Sequence, residues 1–231
     1  MFVNFLRLLL TANRLIVGLL GLRFECEVAM NSVFLRFAAL LIVACPILIS
    51  EAHAQTNPPP VEILDEKAIA EIREWLSSPV VEMSVTAHNR QYEGVDQSQI
   101  DALDQAWRAE RESADQPLIA ATLSSPLSTY LTQIQAASGG IFTEIFVMNA
   151  YGLNVGQSAI TSDFWQGDEA KFQKTFLVSP TAVFVDEPEF NEKSKTWRTQ
   201  VNLTLAKDGK PIGAVTVEYN LSELARRRGM M

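Results

Sequence analysis

The sequence predicts an α+β domain in which N-terminal amphipathic helices pack on one face of a five-stranded antiparallel sheet. Three observations predict it. Hydrophobic periodicity runs near 3.6 residues up to Gly139-Gly140 and turns strand-like after it. Most of the strand candidates are joined by short connections, which suit antiparallel neighbours, since parallel ones need long crossovers. The helices come in one block before the strands, so they segregate to one side of the sheet.

The first helix is expected over 61–77, where Leu64, Ala68, Ile72 and Trp75 recur at three- and four-residue spacing among acidic residues. Pro79 is either a break or the first turn of a second helix over 80–91, which Gly94 ends. A third helix is expected over 98–112, with Ile100, Leu103 and Trp107 as its apolar line and Ser98 as its cap. Ser125 as N-cap and Pro126 at the first helical position open a fourth, whose buried stripe is Leu127, Tyr130, Leu131 and Ile134. Gly139-Gly140 stops it. Strands are expected over 141–148 and 153–158, around an Asn149–Gly152 turn. A helix follows from Gly167 to Leu177, its start favoured by Asp168 and Glu169. Three more strands cover 182–187, 196–205 and 212–219. Asp208-Gly209 marks the hairpin between the last two, residues 188–195 form a polar loop, and 221–228 form a short basic tail.

The N-terminus reads as a leader. Residues 30–54 have Arg36 near the start, an apolar core, and Ala52-His53-Ala54 as small residues before a cut, the pattern of a secretory signal peptide. Residues 1–29 are then an extension ahead of the true start at Met30. Arg7 and Arg14 inside the first apolar stretch oppose a membrane span there. A lipoprotein-type cut before Cys45 is the alternative, opposed by Pro46–Ile49, which prolong the apolar core. Residues 55–60 (QTNPPP) are an extended linker, 61–224 one domain, and 225–231 a basic tail.

A cut after Ala54 removes both cysteines, Cys26 and Cys45, leaving no disulfide, thiol nucleophile or Cys-based metal site. Loss of Arg7, Arg14, Arg23 and Arg36 with Glu25, Glu27 and Glu51 moves the net charge from −8 to −9. Such an acidic chain repels nucleic-acid phosphates. His88 is the one histidine past the leader, no G-x-S-x-G elbow accompanies it, and no His/Cys cluster offers zinc ligands. Neither an enzyme nor a cofactor is expected.

The stretch EIFVMNAYGLNVG (144–156), Ser158, TSDFWQGDE (161–169), Lys171 and KDGKPIGAVTVEY (207–219) resemble, in order and spacing, the extracytoplasmic PAS-like sensor modules called Cache or PDC domains. The resemblance covers 61–224 and is sharpest in the C-terminal half. It implies a long N-terminal helix, a PAS-like antiparallel sheet of about five strands, and a small-molecule pocket over one sheet face. It also implies a membrane-bound sensor kinase or chemoreceptor as partner. Family members usually lie between two spanning helices, whereas here only seven residues follow Leu224. A freestanding periplasmic or secreted version is therefore expected. The alternative is an interaction module for such a membrane protein, with a vestigial pocket.

The candidate ligand-binding residues are Asp163, Phe164, Trp165, Ser158, Phe184 and Arg198. Asp163 either accepts hydrogen bonds from an ammonium or amide, or caps its own loop. Phe164 and Trp165 either cover an apolar or cationic group, or are buried. Arg198 either holds a ligand carboxylate or pairs with a cross-strand acid, Glu218 being the candidate. Phe184 also suits a core position.

Overall fold

The computed structural model describes residues 57–230. The expected leader, its cut after Ala54 and the Cys45 alternative lie outside the described residues. The chain enters through Pro58-Pro59-Pro60, with Pro60 at polyproline dihedrals, and makes a 3-10 turn over Val61–Ile63. The first helix, α1 (Glu66–Leu76), starts later than expected because the Asp65 side chain accepts the Ala68 N–H and caps it there. Pro79 takes the first helical position of α2 (Pro79–Gln91). Helix α3 (Gln97–Arg111) is capped by Asp96, not Ser98: Asp96 and Gln99 form a reciprocal capping box.

An unexpected helix, α4 (Pro117–Leu123), follows. Its stretch is too short to show a period. It is held from outside, because both oxygens of the Glu110 carboxylate accept its first free N–H groups, from Leu118 and Ile119. Helix α5 (Pro126–Ala137) has Ser125 as its cap, and it ends where Gly139 and Gly140 take φ of 61° and 95°.

Then come β1 (Phe142–Asn149), β2 (Asn154–Gln157), a four-residue α6 (Ala170–Gln173), β3 (Val183–Val185), β4 (Glu189–Asn191), β5 (Thr196–Lys207), β6 (Lys210–Asn220) and α7 (Leu221–Arg227). The sheet has six strands, not five. All pairings are antiparallel, in the order β2-β1-β6-β5-β3, with β4 also on β5. The extra strand lies inside the expected 188–195 loop. It shares the outer edge of β5 with β3, so five positions across the sheet hold six strands. The expected 167–177 helix contracts to one turn, and the basic tail is helical because the Asn220 side chain accepts the Glu223 N–H.

The two sheet faces differ in chemistry. Ile145, Val147, Val201, Leu203, Val215 and Val217 share one face and form the main core with Ile72, Val85, Leu127, Leu131 and Leu221 from the helices. The other face carries Glu144, Phe146 and Met148 from β1, Ala214, Thr216 and Glu218 from β6, and Gln200, Asn202 and Thr204 from β5. Only Phe146, Met148 and Ala214 make an apolar cluster there, with Phe172 of α6.

Candidate functional site

The segment joining β2 to β3, residues 158–182, supplies the α6 side chains that cover the polar face. It is held down from α3. The Asp104 carboxylate accepts the N–H groups of Phe164 and Trp165 at 2.9 and 3.1 Å. Trp107 donates its indole N–H to the Thr161 carbonyl at 3.0 Å, and Arg111 donates to the Ser162 carbonyl at 3.0 Å. Arg108 bridges Asp104 and Asp163, 2.8 Å from each. Phe164 is buried and stacks on Trp107 with ring centres 5.3 Å apart. Trp165 donates to the Tyr151 carbonyl at 2.9 Å, and its ring lies against Gly152 and Gly167. Asp163, Phe164 and Trp165 are thus brought together, but as the clamp of the covering segment.

Ser158 extends the β1–β2 pairing: its N–H donates to the Ile145 carbonyl and its hydroxyl accepts the Ile145 N–H, both at 2.8 Å. Phe184 lies at the β3 edge with the Lys174 ammonium 4.1 Å from its ring centre. Of the six expected residues, Arg198 alone lines the cleft that opens on the polar face.

That cleft has a volume of about 220 Å³. Lys171 and Glu169 of the covering segment, Asp186 and Glu189 of the sheet edge, and Arg198, Gln200 and Glu218 of the sheet are among its walls. Arg198 donates to Glu218 across β5 and β6 at 2.9 Å and to Ser194 at 3.2 Å, the cross-strand pairing that its strand position suggested. Its Nε–H is buried without a partner. Lys171 is nearly enclosed, 12% exposed, which fixes it against Glu169 at 2.9 Å and Gln166 at 3.2 Å. Its ammonium also lies 5.4 Å from the Phe146 ring centre.

Glu218 accepts a short hydrogen bond from the Thr143 hydroxyl as well as the Arg198 pair. Glu144 stands directly opposite it on β1. Burial first, and the Glu218 charge second, push the Glu144 carboxyl up from 4.5 to about 7.

The arrangement suits non-covalent capture of a polar solute: fixed charges of both signs line a concave, partly dry surface. His88 lies on α2, with its Nδ1 3.0 Å from the Asn149 amide, and burial lowers its pKa to about 4, so it is neutral at pH 7. Among the described residues, no group of three or more His, Cys, Asp or Glu side chains is placed to hold a metal ion. No helix among them is long and apolar enough to cross a membrane.

Sequence reasoning missed Glu144, Gln200, Asp186 and Glu189. The signal for the first two was present. In β5 a polar residue recurs at every second position between buried neighbours, and in β1 Glu144 shares a face with buried Phe146 and Met148, where a strand covered on both sides should be apolar throughout. Glu189 reaches the cleft because β4 forms, which no local pattern announced, whereas Asp186 follows β3 and donates its N–H to the Gln200 carbonyl.

No family model matches the chain, and no curated protein matches it. Among solved structures, it is similar to the ligand-binding domain of the Campylobacter jejuni chemoreceptor Tlp3 in complex with 4-methylisoleucine: 14% identity, TM-score 0.34, covering 66% of this chain and 65% of that one. It is also similar to the ligand-binding domain of the Pseudomonas aeruginosa PAO1 amino acid chemoreceptor PctC in complex with GABA: 15% identity, TM-score 0.32, covering 70% and 64%. A third is the ligand-binding domain of the Pseudomonas fluorescens chemoreceptor CtaA in complex with L-alanine: 15% identity, TM-score 0.33, covering 63% and 58%. The chain spans less than two thirds of the length of each. All three are sensory modules by name.

Proposed function

We propose that this chain is an exported Cache-type sensor module. It binds a small polar solute without transforming it, in the cleft between Lys171 and Arg198, and passes occupancy to a membrane-bound kinase or chemoreceptor. One observation carries the reading: the Arg198 Nε–H is buried without a partner at the wall of a cleft lined by charges of both signs. A buried donor left unmatched costs stability, and a solute acceptor placed there recovers it. Arg198 contacts the solute, Phe184 closes the sheet edge, and Asp163, Phe164, Trp165 and Ser158 hold the covering segment in place.

The test is a thermal-shift screen of amino acids, amines and organic acids on the protein and its Arg198→Ala variant. A solute specific to the native state raises the melting temperature with concentration. The expected result is at least one such solute, with its shift lost in Arg198→Ala. If nothing in the panel moves the midpoint, the cleft reading fails and the interaction module takes its place.

A further inference from the structure

Glu144, next to the cleft-wall residue Glu218 on the polar face, is a carboxylate with no ion pair among the described residues. It pairs in register with Glu218 across β1 and β6, and both side chains project to the same side. Side chains so placed have Cβ atoms about 5 Å apart, and like charges there repel. The charged groups around Glu144 are Glu218 from β6, Arg198 from β5, and Lys171 with Glu169 from the covering segment. Both cations are already engaged. Arg198 lies 2.9 Å from Glu218 and also donates to Ser194, while Lys171 lies 2.9 Å from Glu169 and also donates to Gln166. No hydrogen bond or ion pair among the described residues reaches the Glu144 carboxylate.

On the cleft reading above, we propose that the solute carries a protonated amine, which settles between Glu144 and Glu218 while Arg198 takes its polar or anionic end, and that its arrival expels a proton from Glu144 into solvent. The balance is simple: protonated Glu144 and an ammonium ion give the carboxylate–ammonium pair and one released proton. Glu144 is suited to this because burial and Glu218 keep it largely protonated in mildly acidic solution, with a pKa of about 7. The amine itself stays charged throughout this range. Only the ionised fraction of Glu144 is competent, so apparent affinity follows that fraction. Between pH 6 and pH 8 it rises about tenfold.

The experiment is isothermal titration calorimetry at pH 6 and pH 8 with two carbon-matched pairs, 4-aminobutyrate against butyrate and 4-aminobutyrate against succinate, plus any solute from the thermal screen. The expected result is binding by amine-bearing compounds alone, about tenfold tighter at pH 8. In two buffers of different ionisation enthalpy at pH 6, titration should show nearly one proton released per solute. Glu144→Gln should keep its fold by circular dichroism, bind more weakly, and lose both the pH dependence and the proton release. Arg198-dependent binding that is flat with pH, or confined to butyrate or succinate, overturns the inference while leaving the cleft reading intact. Proton release that persists in Glu144→Gln also overturns it. Failure of every compound in the screen and in these pairs overturns both.

Discussion

The Asp104 carboxylate, on α3, accepts the backbone N–H groups of Phe164 and Trp165 at 2.9 and 3.1 Å and so ties the covering segment to the helical half of the domain. Asp104 is itself 8% exposed, so the two N–H groups have little access to water if it is removed. Asp104→Ala therefore strands two donors and should lower stability by about 2–4 kcal/mol. Urea denaturation measures the loss. Hydrogen exchange should locate it, with protection falling first at Phe164 and Trp165.

The two candidate sets can be separated by mutation. Asp163 pairs with Arg108, whose side chain is 59% exposed, so Asp163→Asn should cost at most about 1 kcal/mol and leave solute binding within a few-fold of normal. Arg198→Ala should abolish solute binding and lower stability by roughly 1–3 kcal/mol, because Glu218 then faces Glu144 without a guanidinium between the strands. Strong loss of binding in Asp163→Asn with Arg198→Ala unaffected would move the site to the 163–165 turn.

Stability should depend on pH through two groups with opposite signs. Glu144 has its folded pKa raised from 4.5 to about 7. The native state holds its proton more tightly, so this contribution is full below pH 4.5 and is lost as pH rises through 7. His88 has its folded pKa lowered from 6.5 to about 4, so its contribution is full above pH 6.5 and is lost as pH falls through 4. The slopes oppose each other between pH 4.5 and 6.5, and Glu144 acts alone just above that window. Glu144→Gln should gain roughly 1–3 kcal/mol at pH 8 and expose the His88 slope below pH 6.5. Denaturation midpoints at half-unit pH steps check this. A Glu144→Gln profile parallel to wild type would contradict it.

Gly152 has a structural reason to be glycine on two counts. Its φ is 77°, and a Cβ there would lie 2.6 Å from the Gly167 Cα. The turn after β1 and the turn before α6 thus touch backbone to backbone. Gly152→Ala should cost at least about 2 kcal/mol in unfolding free energy, from left-handed strain and collision together. Measured stability within a few tenths of wild type would show that this contact yields easily.

Much of the fold was legible because its signals are local. Ser125-Pro126, Gly139-Gly140 and Asp208-Gly209 each specify a backbone conformation within two residues, and each lies where the chain uses it. What was illegible depends on partners far along the chain. Helix α4 starts where Glu110 reaches it, and β4 exists because β5 continues far enough to offer an edge. The cleft was harder still. Asp163-Phe164-Trp165 stood out by composition, yet stacking on Trp107 and the Asp104 clamp make that cluster an anchor. Arg198 and Glu218 were legible as a cross-strand pair, since alternation places them on one face. Glu144 went unseen because its importance lies in what stands opposite, which only register reveals.

The alternation along the three central strands has a consequence for how this domain can change over generations. From Glu144 to Met148, Gln200 to Thr204 and Ala214 to Glu218, even-numbered residues face the covering segment and odd-numbered residues face the helices. The two faces are therefore written on interleaved positions of the same segments. Mutation at the even positions can change the chemistry of the covered face while the helical half keeps its contacts, so descendants of this sequence can diverge on one side of the sheet without diverging in shape.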